Sequence, residues 1–74
     1  MANLAEQKVR KELGQNIKLL RSKMGKTQDE LSSDLKITQK YLGHLEQGAR
    51  SPSLTLIVKI ARELSVEVWE LFKN

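Results

Sequence analysis

Four polar side chains near the middle of the chain carry functional groups suited to contact with another molecule. Gln39, Lys40, His44 and Gln47 fall on or beside one outward face when they are placed on an α-helix at about 100° per residue. Gly43 lies on the same face and would let the helix approach a surface closely. These amide, ammonium and imidazole groups suit base edges in the major groove of B-DNA, where glutamine pairs with adenine and lysine with guanine.

Catalysis is poorly supported by the composition. The 74-residue chain has no cysteine and one histidine, His44, which has no adjacent serine or cysteine that it could activate. Neither a pair of carboxylates in a plausible pocket nor a glycine-rich loop for phosphates can be recognised. We therefore predict a protein that is not an enzyme and that holds no metal or cofactor.

Two short helices joined by a tight turn are predicted for residues 27–48. Thr27 and Glu30 form the pattern of a capping box at the start of the first helix, and Thr38 offers an N-cap hydroxyl for the second. Helices this short must bury their apolar stripes against each other and against a third element. The stripes consist of Leu31, Leu35, Leu42 and Leu45.

A longer helix precedes this pair and two more helices follow it, so that five helices are expected around one core. The first helix is predicted to end at Gly25, and Gly14 is expected to weaken it by about 1 kcal/mol relative to alanine. Ser53 offers a cap for the fourth helix, and the fifth is predicted for residues 68–72. The apolar stripe of the first helix consists of Val9, Leu13, Ile17, Leu20 and Met24, and that of the fourth consists of Leu54, Ile57, Ala61 and Leu64.

The segment of residues 27–48 contains a specific pattern. It consists of Thr27, Gln28, Glu30, Leu31, Leu35, Ile37, Leu42, Leu45, Glu46 and Gly48. With this pattern, the segment resembles the helix-turn-helix of the phage repressor and Cro family of DNA-binding regulators, also known as the XRE type. The resemblance extends from near Leu13 to Phe72. It implies an all-α, five-helix DNA-binding domain at residues 13–74, with residues 1–12 as an N-terminal helical extension.

The predicted DNA contacts divide into base contacts and phosphate contacts. Base contacts are expected from Gln39, Lys40 and His44, and from Tyr41, whose ring borders the outward face. Phosphate contacts are expected on either side of this helix, beginning with Gln28 at the amino end of the first motif helix, where free N–H groups attract anions. The other predicted phosphate contacts are Thr38, Arg50 and Lys26.

The resemblance also implies a structural ion pair. Arg21 and Glu46 are expected to form a partly buried salt bridge that links the first and third helices.

Three turn residues depart from the family pattern. Lys36 and Ser65 stand where glycine is usual because the backbone is left-handed, and Glu67 stands where a serine or aspartate cap is common.

The family usually binds a palindromic operator as a two-fold dimer, so the resemblance implies double-stranded DNA and a second copy of the chain as partners. Leu56 lies off the predicted buried face of the fourth helix, while Val68, Trp69 and Phe72 crowd the carboxyl end. Because so small a core cannot hold all of these side chains, we predict that they form a homodimer contact. The alternative is a Trp69 that caps the core.

The net charge of +4 lies entirely in residues 1–50, which hold ten Lys or Arg and six Asp or Glu. A basic segment followed by a neutral one is typical of a protein that binds phosphate groups through its basic part.

No apolar run approaches the ~20 residues that span a bilayer, and the amino terminus lacks the apolar core of a signal peptide. We therefore expect a cytoplasmic protein without membrane contact, and no small-molecule effector is evident because the chain has no room for a sensing domain.

A sequence-specific transcriptional regulator, most simply a repressor, is the leading interpretation. Residues 41–54, YLGHLEQGARSPSL, resemble controller proteins of restriction–modification systems, although phage or plasmid repressors and antitoxins share the pattern. The alternative is a protein-interaction module, such as an antitoxin with secondary or no DNA binding. The polar Gln39, Lys40 and His44 and the basic Arg50 argue against loss of DNA binding, since a face that disfavours DNA would be expected to be acidic or apolar.

Overall fold

The computed structural model describes residues 4–73, and the regular elements over that range are all helical. The predicted all-α class is therefore confirmed. The fifth predicted helix differs in type, because it is a single 3₁₀ turn rather than an α-helix. The elements are α1 (Leu4–Lys23), α2 (Gln28–Leu35), α3 (Gln39–Glu46), α4 (Leu54–Glu63) and the 3₁₀ helix η1 (Val68–Leu71).

The predicted caps begin the three short α-helices. At α2, the Thr27 hydroxyl accepts from the backbone N–H of Glu30 at 3.0 Å, and the Glu30 carboxylate accepts from the backbone N–H of Thr27 at 2.9 Å. Thr38 and Ser53 accept in the same way at α3 and α4, at 3.0 and 3.1 Å. These contacts satisfy N–H groups that the first helical turn leaves unpaired, which confirms the predicted helix starts.

The turn between α2 and α3 is left-handed at Lys36, where φ is 59°. The backbone N–H of Lys36 nevertheless donates to the carbonyls at the end of α2, as in an ordinary helix stop. Ser65 has a similar φ of 58° after α4. Lys36 and Ser65, which stand where the family usually has glycine, therefore both have a left-handed backbone that is strained for residues with a Cβ.

Replacing Lys36 with glycine is expected to raise the free energy of unfolding by about 0.5–1 kcal/mol, because glycine adopts φ near 60° without a Cβ clash. Thermal unfolding followed by circular dichroism measures this, and the midpoint should rise by a few degrees. Ser65→Gly should have the same sign. Ser33→Gly, at an exposed helical position of α2, serves as the opposite control and should lower the midpoint. A lower midpoint for Lys36→Gly would contradict the strain argument.

The core is formed by inward faces of all five elements. Its fully buried side chains come from α1, α2, α3, α4 and η1. The buried apolar residues are Leu13, Ile17, Leu31, Leu35, Leu42, Leu45, Leu56, Ile60, Ala61, Leu64 and Leu71. The predicted stripes of α2 and α3 are all in this set, so those two assignments are confirmed.

The predicted face of α4 is wrong at its start. Leu54 was expected in the core but is 74% exposed, and Leu56, which was expected at a dimer contact, is buried. The error has a physical cause. The first turns of α4 are apolar over a wide arc of the helix surface, which contains Leu54, Leu56, Ile57 and Val58. The helical period alone therefore does not show which part of that arc faces the core. Packing of α4 against α2 and η1 selects the arc that contains Leu56 and Ile60.

The stripe predicted for α1 is too long at both ends. Leu13 and Ile17 are buried and Leu20 packs against the core, but Val9 and Met24 remain exposed. In the amino-terminal half of α1, Arg10 Nε instead donates to the Gly48 carbonyl, just after α3, at 3.2 Å. That residues 1–12 form an N-terminal extension distinct from the DNA-binding domain stays a prediction. The helix α1 is continuous from Leu4 to Lys23. Residues 1–3 and 74 lie outside the described residues.

Gly14 marks a close crossing of α1 and α3. A Cβ added there would lie 2.4 Å from the Leu45 carbonyl oxygen and 2.5 Å from that of Glu46. These are backbone atoms, so they cannot move aside as a flexible side chain would. The glycine was expected only to weaken α1. In the fold, its missing side chain is what lets the two helices pack this closely.

A side chain that sequence reasoning missed ties the carboxyl end to α1. The Asn16 amide nitrogen donates to the carbonyl of Leu71 and to that of Lys73, both at 2.8 Å. A half-buried amide that satisfies two carbonyls holds η1 in place, since a single 3₁₀ turn has few hydrogen bonds of its own. Asn16 lies between the apolar positions of α1, and nothing in the local pattern pointed to this partner.

Candidate nucleic-acid interface

The outward face of α3 is an open concavity. Gln39, Lys40 and Gln47 are exposed, whereas Gly43 and His44 are half-buried. Together with Gln28 at the start of α2, these residues line the concavity. The structure therefore brings the residues predicted to contact bases, except Tyr41, onto one surface.

Tyr41 takes a different position from its three predicted companions. Its side chain is half-buried and packs against the hydrophobic core. The backbone N–H of Tyr41 is used by the cap at Thr38. The tyrosine therefore helps to hold the first turn of α3, and it does not line the concavity.

The opposite face of α3 is anchored in the core. Leu42 and Leu45 are fully buried, and α3 packs against both α1 and α2. An eight-residue helix is unstable alone, so this packing is what makes α3 rigid. Rigid support keeps the exposed side chains in a fixed relation to any partner.

Arg21 and Glu46 form a buried, bidentate ion pair beneath the concavity. Arg21 Nε donates to one carboxylate oxygen of Glu46 at 2.7 Å, and an Nη donates to the other at 3.1 Å. The side chain of Glu46 is only 2% exposed. Arg21 also donates to the Lys26 carbonyl at 2.8 Å, so the guanidinium links α1, α3 and the turn before α2.

Gln28 extends this network to the surface. Its amide nitrogen donates to a Glu46 oxygen at 2.9 Å, which fixes the amide beside Gly43. Sequence reasoning placed Gln28 at a phosphate but did not find its bond to Glu46. The remaining amide N–H and the carbonyl oxygen of Gln28 stay available for a ligand.

The other predicted phosphate contacts differ in their surroundings. Thr38 is exposed, and its hydroxyl oxygen accepts from Tyr41, which leaves the hydroxyl proton for donation. Arg50 is exposed in the loop after α3. Lys26 Nζ lies 2.6 Å from Asp34 Oδ2, and this hydrogen bond raises the pKa of Lys26 above its ordinary value. A phosphate at Lys26 would compete with Asp34.

The predicted dimer residues do not form one exposed patch. Leu56 is in the core, and Val68 and Phe72 are half-buried against it. Trp69 is 64% exposed, so it does not cap the core, and the Lys73 ammonium lies 5.8 Å from its ring centre. Leu54 and Val58, one turn apart on α4, are exposed apolar side chains that were not predicted to lie on the surface.

The described residues contain neither a metal-binding cluster nor a membrane-spanning helix. Within residues 4–73, no group of three His, Cys, Asp or Glu side chains is arranged to hold a metal ion. None of the helices in that part of the chain is both long enough and apolar enough to span a membrane.

Comparison with known sequences identifies the type of domain. A helix-turn-helix family model matches residues 17–70, well over half of the chain. The uncharacterized HTH-type transcriptional regulator y4dJ of Sinorhizobium fredii is 36% identical over 63 residues, which cover 85% of this chain and 82% of the relative. An uncharacterized HTH-type transcriptional regulator of Archaeoglobus fulgidus is 38% identical over 56 residues, which cover 76% of this chain and 80% of the relative.

Solved structures share the fold. The restriction-modification controller protein C.AhdI from Aeromonas hydrophila superposes with a TM-score of 0.79 at 35% identity, covering 84% of this chain and 94% of that protein. The clp gene regulator ClgR from Corynebacterium glutamicum gives a TM-score of 0.82 at 27% identity, covering 85% and 67%. With its capped helix pair, its polar α3 face and these relatives, the chain belongs to the Cro/C1-type helix-turn-helix family of DNA-binding transcriptional regulators.

Proposed function

We propose that this protein is a transcriptional repressor that binds a palindromic operator as a homodimer and acts by occluding the promoter. The observation that carries the proposal is the outward face of α3, where exposed Gln39 and Lys40 and half-buried His44 stand on a helix anchored by fully buried leucines. A helix of this kind fits the major groove, with residues near its amino end contacting base edges.

In this proposal Gln39 and Lys40 read bases and His44 contacts a base edge or a phosphate. Gln39 is the first residue of α3, and an amide can pair bidentately with adenine. Lys40 can donate to guanine. Tyr41 supports the helix from the core side and contributes at most its ring edge to a thymine.

Phosphates would be held on both sides of α3. Gln28 and Thr38 lie at the amino ends of α2 and α3, where free backbone N–H groups and the helix dipole favour anions. Arg50 would contact the backbone from the loop after α3, and Lys26 would do so when released from Asp34. Such contacts fix the register of the protein on the duplex but do not read sequence.

Dimerisation is proposed because one eight-residue helix contacts too few base pairs for a specific site. The exposed apolar side chains of Leu54 and Val58 on α4 and of Trp69 in η1 supply surface that a second copy would cover. Val68 and Phe72 would support Trp69 from beneath. The likeness to a restriction-modification controller protein favours that subclass of regulator over the others that share the pattern.

Selection of bound duplexes from a random DNA pool, followed by sequencing, tests this function. A palindrome with half-site centres about one helical turn apart is expected. Sedimentation at tens of micromolar should then show a dimer, and Trp69→Ala should shift it toward monomer. Recovery of no motif, with binding that depends only on salt, would refute the proposal in favour of a protein-interaction module.

Lys40→Ala is expected to weaken binding to the selected operator by about 1–3 kcal/mol per half-site and to relax preference at one base pair of each. The reason is loss of a base-edge donor. Lys23→Ala is the matched control, since it removes the same charge from an exposed position on α1. Titrations at two salt concentrations compare them. If both variants lose equal affinity on specific and random DNA, Lys40 contributes charge rather than base recognition.

A further inference from the structure

One glycine in the chain is not explained by the protein's own structure. Gly25 and Gly48 have φ of 73° and 76°, a backbone that favours glycine. Gly14 sits where a Cβ would meet backbone oxygens. Gly43 differs from all three: it lies inside α3, without a positive φ, and the nearest atoms to an added Cβ are those of the Gln28 amide, at 3.8 and 3.9 Å.

Those distances are ordinary van der Waals contacts, so alanine would fit at position 43 without displacing anything among the described residues. Glycine inside a helix is also less favourable than alanine, because it loses more backbone freedom on folding. The fold alone would therefore be more stable with alanine. The absence of a side chain at position 43 therefore has no explanation within the described fold.

The position of Gly43 indicates what that requirement is. The residue lies on the outward face of α3, in the concavity bounded by Gln28, Lys40 and His44. One wall of this concavity is rigid, because the Gln28 amide is held by Glu46 at 2.9 Å. At position 43 the floor of this concavity is the bare, apolar Cα of the glycine, and a methyl group placed on it would reach ordinary contact distance from the Gln28 amide.

We propose that Gly43 is a specificity-determining residue whose bare Cα receives the C5-methyl group of a thymine in each operator half-site. Thymine is the base that carries a methyl group into the major groove, so it matches an apolar Cα that no side chain covers. The hydrogen-bond donors and acceptors on the major-groove edges of the bases would find no partner on a glycine Cα. This inference rests on the proposed function, since it requires α3 to lie in the groove.

Gly43→Ala tests the inference because stability and binding should change in opposite directions. The thermal midpoint should rise by about 4–8 °C, as expected when alanine replaces glycine inside a helix of a small domain. Affinity for the operator selected by the parent should fall by about tenfold or more, the effect of one mismatched contact. Ser33→Ala is the matched control: it also adds helix propensity at an exposed site, but on α2 away from the concavity, and should leave affinity unchanged.

A deoxyuridine scan of the operator supplies the second test, since that base lacks only the methyl group. At one thymine of each half-site, the substitution should weaken the parent by about fourfold, the value for burial of one methyl group. The same substitution should restore part of the affinity of Gly43→Ala, because the alanine methyl would occupy the vacated space.

Three outcomes would overturn the inference. Gly43→Ala could bind the operator as tightly as the parent, it could lose stability, or no thymine could respond to loss of its methyl group. Failure of the proposed function looks different, because the parent itself would then select no DNA motif, and both proposals would fall together.

Discussion

Replacing Glu46 with alanine is expected to lower the free energy of unfolding by about 3–5 kcal/mol. The carboxylate is almost fully buried and accepts two hydrogen bonds from Arg21 and one from Gln28. Its removal leaves a buried guanidinium without a counter-charge. In a domain of this size, each kcal/mol corresponds to about 4–8 °C in the thermal midpoint, so the loss should exceed about 12 °C.

The exposed pair of Lys26 and Asp34 provides the matched control. Its N–O distance of 2.6 Å is as short as that of the buried pair, but both side chains reach solvent. Asp34→Ala should therefore cost less than about 1 kcal/mol. A midpoint for Glu46→Ala within a degree or two of the parent would contradict the assignment of a structural role to the pair.

A double-mutant cycle separates the lost charge pair from lost packing. Arg21→Met combined with Glu46→Ala removes both charges, and the double variant should be more stable than Glu46→Ala alone because no unpaired charge stays buried. If the two effects simply add, the ion pair contributes no coupling energy and the single-variant loss has another origin.

Gly14→Ala is expected to destabilise the fold by about 2–3 kcal/mol, even though alanine is the better helix former. The new Cβ would lie 2.4 and 2.5 Å from the carbonyl oxygens of Leu45 and Glu46, which belong to the last turn of α3. The helices must separate to relieve this contact. Separation opens the core around Leu13 and Ile17, which flank Gly14 on α1.

Chemical unfolding measures this change, and Gly43→Ala is its control. The two substitutions add the same methyl group to the interior of a helix, so their intrinsic helix propensities change equally. Only the neighbours differ, with backbone at 2.4 Å in one case and a side-chain amide at 3.8 Å in the other. Gly14→Ala at or above the parent's stability would show that the α1–α3 crossing adjusts freely.

Local patterns predicted the local structure well. The caps at Thr27, Thr38 and Ser53, the stop at Gly25 and the left-handed turn at Lys36 were all found at the expected residues. Each of these depends on the backbone and side chains within three or four residues, so the chain's own order contains the needed information. The outward face of α3 followed in the same way from the helical period.

Contacts between distant residues were harder to predict. Asn16 and Leu71 are far apart in sequence, as are Arg10 and Gly48, and a single amide or guanidinium gives no pattern that names its partner. The wrong prediction that Leu54 rather than Leu56 is buried also arises because burial depends on residues distant in sequence. An apolar arc wider than the core can cover does not reveal its buried part until a neighbouring helix is in place.

The sequence by itself determined where α2, α3 and α4 begin and which residues face outward on α3, because these depend on interactions across a few residues. Tertiary structure alone decided the meaning of the glycines at 14 and 43, which look alike within their helices. Backbone atoms of α3 lie against the first, while the second faces open space in the concavity. That difference arises from how the two helices cross, and packing of the whole core sets the crossing.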